Sequence, residues 1–144
     1  MTRSLRELSD RSEIAELLVA YAHAVDRRRW DDLDDVFTPD ATIDYREMGG
    51  IRGSLTEIKA FLGQSMTAYA RTQHQVASSR IDLDGDTASA VSMCHNPMVR
   101  AGDDGSEHVI TCDLWYHDTL VRTAGGWRIT ARTTERVAIQ IGRP

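Results

Sequence analysis

The chain has 144 residues and a formal net charge of −5, from 22 acidic against 17 basic side chains. That length is about one domain, enough to bury ~two-thirds of the surface its unfolded form exposes. The basic residues are scattered rather than striped, which argues against a nucleic-acid partner. The polar opening "MTRSLRELSD" has no apolar core behind its arginines, and no window approaches the length of a membrane span. The expectation is a single cytoplasmic domain over residues 1–144 with no membrane partner.

From Ser12 onward Ile14, Leu17, Leu18, Tyr21 and Val25 recur at spacings of three and four, which predicts an amphipathic helix ending near Arg28. A short second helix is expected from Trp30 to Phe37, with Leu33, Val36 and Phe37 inward and Asp31, Asp32, Asp34 and Asp35 in water. Pro39 then breaks it. "ATIDY" reads as a short strand and "MGGIRG" as a glycine-rich loop. "SLTE" at Ser54 to Glu57 has the form of a capping box opening a third helix, with Ile58, Phe61 and Leu62 on its inner face.

The second half consists of "TQHQVASSRIDL", "TASAVSMCHNPMV", "HVITCDLWYHDTLV" and "WRITARTTERVAIQI", separated by "DGD", "AGDDG" and "TAGG". Those Gly- and Asp-rich breaks are turn signals between four long antiparallel strands. Three helices followed by four strands give an α+β domain. Val76 and Ile81 fall on opposite parities, so a β-bulge is expected at Ser78 and Ser79. Such a sheet wraps over the helices as a cone with a pocket inside.

His74, in "TQHQV", stands at a strand start where a β-branched residue would pack better. Sharing parity with Val76 turns it inward, either as a hydrogen-bonded structural imidazole or as a base. Asp26 follows Val25 at the end of the first helix, where it can turn inward or pair with Arg28 or Arg29. Tyr21 lies on the buried face of that helix and Tyr45 ends the short strand. His95 shares parity with Val91 and Met93 and is placed toward the pocket, whose size depends on Phe61, Met66, Met93, Met98, Trp115 and Ile139. His23, His117 and Arg136 are expected at the surface, and His108 lies at a strand start. Cys94 and Cys112 lack CxxC spacing and read as buried thiols. No set of residues has zinc-ligand spacing, so neither a metal nor a cofactor is assigned.

The segments "AVDRRRWDDLDDVFTPDATIDYRE" and "TQH" resemble the SnoaL-like domains of the nuclear transport factor two-like superfamily, and within it scytalone dehydratase. Asp26, "WDDL" at Trp30 to Leu33, "IDYR" at Ile43 to Arg46 and "TQH" at Thr72 to His74 carry that resemblance. It implies a cone-shaped, cystatin-like α+β barrel in which His74 is the general acid/base, Asp26 orients it, and Tyr45 holds a substrate carbonyl through water. His95 lies near a second family histidine, and His95, Phe61, Met93 and Trp115 are the expected substrate contacts. Where scytalone dehydratase has a tyrosine before its aspartate this chain has Val25. Tyr21, five residues before Asp26, instead is similar to the arrangement in bile-acid 7-alpha-dehydratase.

The implied activity is a dehydratase-type lyase acting on a small hydrophobic hydroxy ketone, steroid- or polyketide-like. Three alternatives stay open: a double-bond isomerase of the ketosteroid type, a polyketide cyclase, and a non-catalytic binding module in which Asp26 and His74 do not touch. Tyr45 stands where the isomerase has its aspartate, with Asp44 adjacent. The resemblance also implies a homo-oligomer, trimer or dimer, formed on the outer face of the sheet.

Overall fold

The computed structural model describes residues 2–143. Helix α1 runs Leu5–Asp26, two turns earlier than the apolar stripe predicts, because Ser4 and Glu7 form a capping box: the Glu7 N–H donates to Ser4 Oγ and the Ser4 N–H to Glu7 Oε2. Trp30–Asp35 is a 3-10 helix, with Leu33 buried and its aspartates exposed. Strand β1, Phe37–Asp44, starts earlier than expected and takes in Pro39. The glycine-rich segment holds a short turn at Arg46–Met48 and an unpredicted strand β2, Arg52–Ser54. Helix α2, Leu55–Ser65, opens on the predicted Ser54–Glu57 capping box.

After β3, Arg71–Thr72, come the four long strands β4 (Gln75–Asp84), β5 (Thr87–Ala101), β6 (Glu107–Thr123) and β7 (Gly126–Gly142). The seven strands form one curved, mixed sheet in the order β2-β1-β7-β6-β5-β3, with β4 also paired to β5. Among the described residues only β1 and β7 run parallel, and the sheet is not closed. The expected bulge is present: the β4–β5 register shifts between Ala77 and Arg80, and Ser78 takes φ 51°. Further shifts at Asp113/Leu114 and Thr119/Leu120 bend β6 against β7.

The helices lie against one face of this sheet, where Ile14, Leu18, Leu33, Ile43, Ile58, Leu120, Trp127 and Ile129 form the core. Burying each such side chain contributes ~1.5–3 kcal/mol. Among the described residues no helix is long and apolar enough to cross a membrane.

On β5 the buried positions are Ala88, Ala90, Ser92, Cys94, Asn96 and Met98. Val91, Met93 and His95 therefore point to the outer face, opposite to the predicted parity. Trp115, directly across from Met93 on β6, is on that outer face too. His95, Met93 and Trp115 thus do not line the cavity inside the fold. Hydrophobicity does not mark the inner face of β5, because that face carries small or polar side chains, Ala88, Ala90, Ser92, Cys94 and Asn96, with only Met98 large and apolar.

Candidate active site

The end of α1 and the approach to β4 meet at Asp26 and His74. Asp26 Oδ1 accepts a hydrogen bond from His74 Nδ1 at 2.7 Å, and Oδ2 accepts from the His74 backbone N–H at 2.8 Å. The Thr72 hydroxyl donates to Oδ1 at 2.9 Å. Burial pushes the Asp26 pKa up, but the bonds from the His74 ring, the His74 backbone and Thr72 together outweigh it, and the net shift is downward. An ionised carboxylate only accepts, so in the neutral ring the proton sits on His74 Nδ1 and Nε2 is the acceptor. The His74 side chain is only 7% exposed.

Asp26 forms no ion pair with Arg28 or Arg29. Arg28 instead donates to Thr72 Oγ1 at 3.1 Å, to the Tyr69 carbonyl at 3.2 Å and to its own helix at Val25 O. Arg29 pairs with Asp32. Arg28 takes φ 59°, a left-handed conformation that turns the chain sharply after α1. The sequence reading named Arg28 only as a salt-bridge partner for Asp26 and Thr72 only as part of "TQH", and assigned neither to the site. Thr72 could have been found from its place two residues before the histidine in "TQH".

The His74 ring faces a cavity of about 220 Å³ together with Tyr21, Tyr45, Phe61, Met66, Met98, Asn96, Cys112, Leu114 and Tyr116. Among its described lining residues there is no Lys, Arg, Asp or Glu. The Tyr21 and Tyr45 hydroxyls are 2.8 Å apart, and the Tyr21 ring meets His74 edge-on at 6.2 Å. Burial, with Tyr21 beside it, raises the Tyr45 pKa well above the usual phenol value, so this hydroxyl stays a neutral donor.

Two glycines set the position of Tyr45. Gly49 takes φ 81°, and a Cβ at Gly50 would stand 2.8 Å from the Tyr45 Cβ.

Behind the tyrosines lies a group with no signal in the sequence. Arg132 and Asp118 form a wholly buried ion pair, Nε to Oδ1 at 2.7 Å. The guanidinium lies 4.2 Å from the Tyr21 ring centroid and 4.0 Å from that of Tyr116. The β7 register shift next to Thr119/Leu120 turns Arg132 inward, where strict alternation from Ile129 would have turned it out.

The other candidates lie elsewhere. His95 pairs with Asp113 and His117 with Glu135, each at 2.6 Å on the outer face, and His23 and Arg136 are exposed. Asp44 is held at about 2 by hydrogen bonds from Arg46, and it does not line the cavity. It has neither the basicity nor the place of an isomerase aspartate. Cys94 and Cys112 are free and buried, and burial pushes the Cys94 thiol up to about 12. Among the described residues no group of three or more His, Cys, Asp or Glu side chains is arranged to hold a metal ion.

The SnoaL-like domain profile matches residues 6–133. An uncharacterized protein of Mycobacterium tuberculosis is 51% identical over 129 residues, 90% of this chain and 86% of that protein. Among solved structures, one from Novosphingobium aromaticivorans, named provisionally as a scytalone dehydratase, superposes with TM-score 0.79 at 18% identity, covering 93% of this chain and 88% of that one. A hexachlorocyclohexane dehydrochlorinase from Novosphingobium barchaimii gives TM-score 0.80 at 14% identity, covering 95% and 92%.

Proposed function

The chain belongs to the SnoaL-like domain family, and from that premise we infer that it is a lyase that eliminates water from a small, neutral hydroxy ketone. The observation that carries this reading is the Asp26–His74 pair with Nε2 free beside an uncharged cavity that also holds the Tyr21–Tyr45 hydroxyl pair. The non-catalytic reading expected Asp26 and His74 to be apart, and they are in contact. Two structures of the same shape are described as a dehydratase and a dehydrochlorinase, and both names denote β-elimination.

In this mechanism His74 Nε2 takes the proton from the carbon next to the ketone. The freed electron pair moves into a C=C bond and the carbonyl oxygen becomes an enolate. A hydroxyl of the tyrosine pair donates to that oxygen, in a site needing little reorganisation as charge develops. The enolate then collapses and breaks the C–O bond at the next carbon. The departing hydroxide takes the proton back from Nε2, so one enone and one water leave and His74 is regenerated. One imidazole serves as both base and acid, worth ~10²- to 10⁴-fold when well placed, while anionic Asp26 stabilises the transient imidazolium.

The cavity also limits the substrate. A cavity of about 150 Å³ encloses benzene, so 220 Å³ suits one or two rings, and a four-ring steroid would protrude through the mouth. We assign Phe61, Met66 and Met98 to the walls around those rings. The outer sheet face, with Met93 at 38% exposure, is the surface on which a homo-oligomer would form.

To test the reading, wild type and His74→Ala are incubated with one- to four-ring β-hydroxy ketones and followed by mass spectrometry. The expected result is loss of one water from one- or two-ring members with wild type alone. Equal conversion by both proteins would remove His74 as the base, and a product of unchanged mass would make the protein an isomerase.

A further inference from the structure

Asn96 is 6% exposed, lines the cavity, and has an Oδ1 with no hydrogen-bond partner among the described residues. A buried amide oxygen without a partner carries an uncompensated desolvation cost. Ser92 and Thr38 also have unpartnered buried hydroxyls, but neither lines the cavity. Directly across from Asn96 on β6 is Cys112, whose thiol is too weak a donor to satisfy an amide oxygen.

The strand register places this amide beside the base. Thr72 pairs with Met98 and Gln75 with His95, so the continuing register sets His74 opposite Asn96. The Gln73 N–H donates to the Pro97 carbonyl at 3.1 Å, which keeps the two chains paired between those points. Side chains directly opposed across such a pair have Cβ atoms roughly 5 Å apart. At that spacing the imidazole and the carboxamide can both reach one ligand, the first at a carbon being deprotonated and the second at the substituent on the neighbouring carbon.

We propose that Asn96 selects the leaving group, accepting a hydrogen bond at Oδ1 from the hydroxyl that departs. This rests on the elimination reading above and deepens it by assigning the residue that discriminates a hydroxyl leaving group from a halide. A hydroxyl satisfies both neighbours at once: it donates to Asn96 Oδ1 and presents its lone pairs to the proton that His74 Nε2 carries after abstraction. A halogen of similar size fills the same space but has nothing to donate, so Oδ1 stays unpartnered in its complex. The terminal torsion of an asparagine is soft, and turning the carboxamide brings Oδ1 onto the ligand.

The test uses two rigid two-ring probes, 2-naphthol and 2-chloronaphthalene, titrated calorimetrically into wild type and Asn96→Leu. The readout is the change in the ratio of the two dissociation constants between wild type and variant, in which the greater hydrophobicity of the chloride cancels. Removing Asn96 is expected to shift that ratio about tenfold against the naphthol, the scale of one neutral hydrogen bond in a dry site. Asn96→Val provides the same comparison should leucine disturb the strand. An unchanged ratio in whichever variant folds would overturn the proposal.

A separate assay follows wild-type conversion of 3-hydroxycyclohexanone to cyclohexenone. Water loss with an unshifted ratio overturns the role of Asn96 alone. A shifted ratio without water loss from this ketone or the panel above overturns the elimination reading, and the leaving-group role with it.

Discussion

Arg28 occupies a left-handed conformation that costs an ordinary side chain ~1–2 kcal/mol. Its guanidinium offsets that cost through bonds to Val25, Tyr69 and Thr72, and the turn it makes aims Asp26 inward. Asp26 is then held by three donors, and its folded pKa lies below its unfolded value. Its contribution to stability is therefore complete above the unfolded value of about 4 and is lost as pH falls through the lower folded one. Asp26→Asn keeps the shape but removes the charge and offers an NH₂ toward Nδ1, favouring the wrong tautomer. We expect kcat to fall ~10²-fold or more, with partial rescue by Asp26→Glu, and the acid side of the stability curve to flatten. Steady-state kinetics and urea unfolding across pH check both. That His74 would meet Asp26, and Tyr21 would lie near Tyr45, was legible because Asp26, Tyr45 and His74 stand in short motifs and Tyr21 on the helical stripe. Arg28 was not, because its role depends on a conformation that composition does not reveal.

At the scale of elements, α1 is attached to the sheet by polar groups as well as by its apolar stripe. Asp10 accepts two hydrogen bonds from Arg122, both at 2.8 Å, and one from Trp127 Nε1 at 3.1 Å, while Glu13 accepts from the Trp127 backbone. The Arg122 bonds lead in lowering the Asp10 pKa to about 2. Because the folded value is depressed, the attachment contributes fully above the unfolded pKa and fades between about 4 and about 2. Asp10→Asn is expected to cost ~1–3 kcal/mol at neutral pH, and most of the difference from wild type should be lost as pH falls to about 2. Urea melts at a series of pH values measure it, and a difference independent of pH would show that charge is not involved. The sequence reading began α1 too late for the same reason: Leu5 and Leu8 are exposed, and a polar Asp10 does the docking. The Ser4–Glu7 box was nonetheless readable, having the same form as the Ser54–Glu57 box that was recognised. On β5 hydrophobicity pointed the wrong way, since Val91 and Met93 face out while Ala90, Ser92 and Asn96 face in. That reversal is why His95 was expected in the cavity and Asn96 was overlooked.

For the whole molecule the question is why an arginine and an aspartate occupy the core at 0% side-chain exposure. A buried pair of this kind is weak evidence for stability, because desolvation cancels most of its attraction, and hydrophobic replacements of both partners are often neutral or stabilising. Arg132 Nη1 even lacks a partner. What the pair does supply is a fixed cation against the Tyr21 and Tyr116 rings, behind the hydroxyls that face the cavity. Burial dominates the Tyr45 pKa, and Arg132 acts against it by favouring the phenolate, which makes the hydroxyl a better donor to a developing enolate. Stability and activity should therefore separate. Arg132→Met alone strands Asp118 as an unpaired buried charge and is expected to cost ~3–5 kcal/mol. The double variant Arg132→Met, Asp118→Leu should recover that stability while kcat stays down about tenfold, with KM nearly unchanged, because the lost interaction acts on the transition state. Thermal unfolding and steady-state kinetics on the same two proteins decide it: recovery of both would make the pair a packing element, and recovery of stability alone would place it in the electrostatics of the tyrosine site.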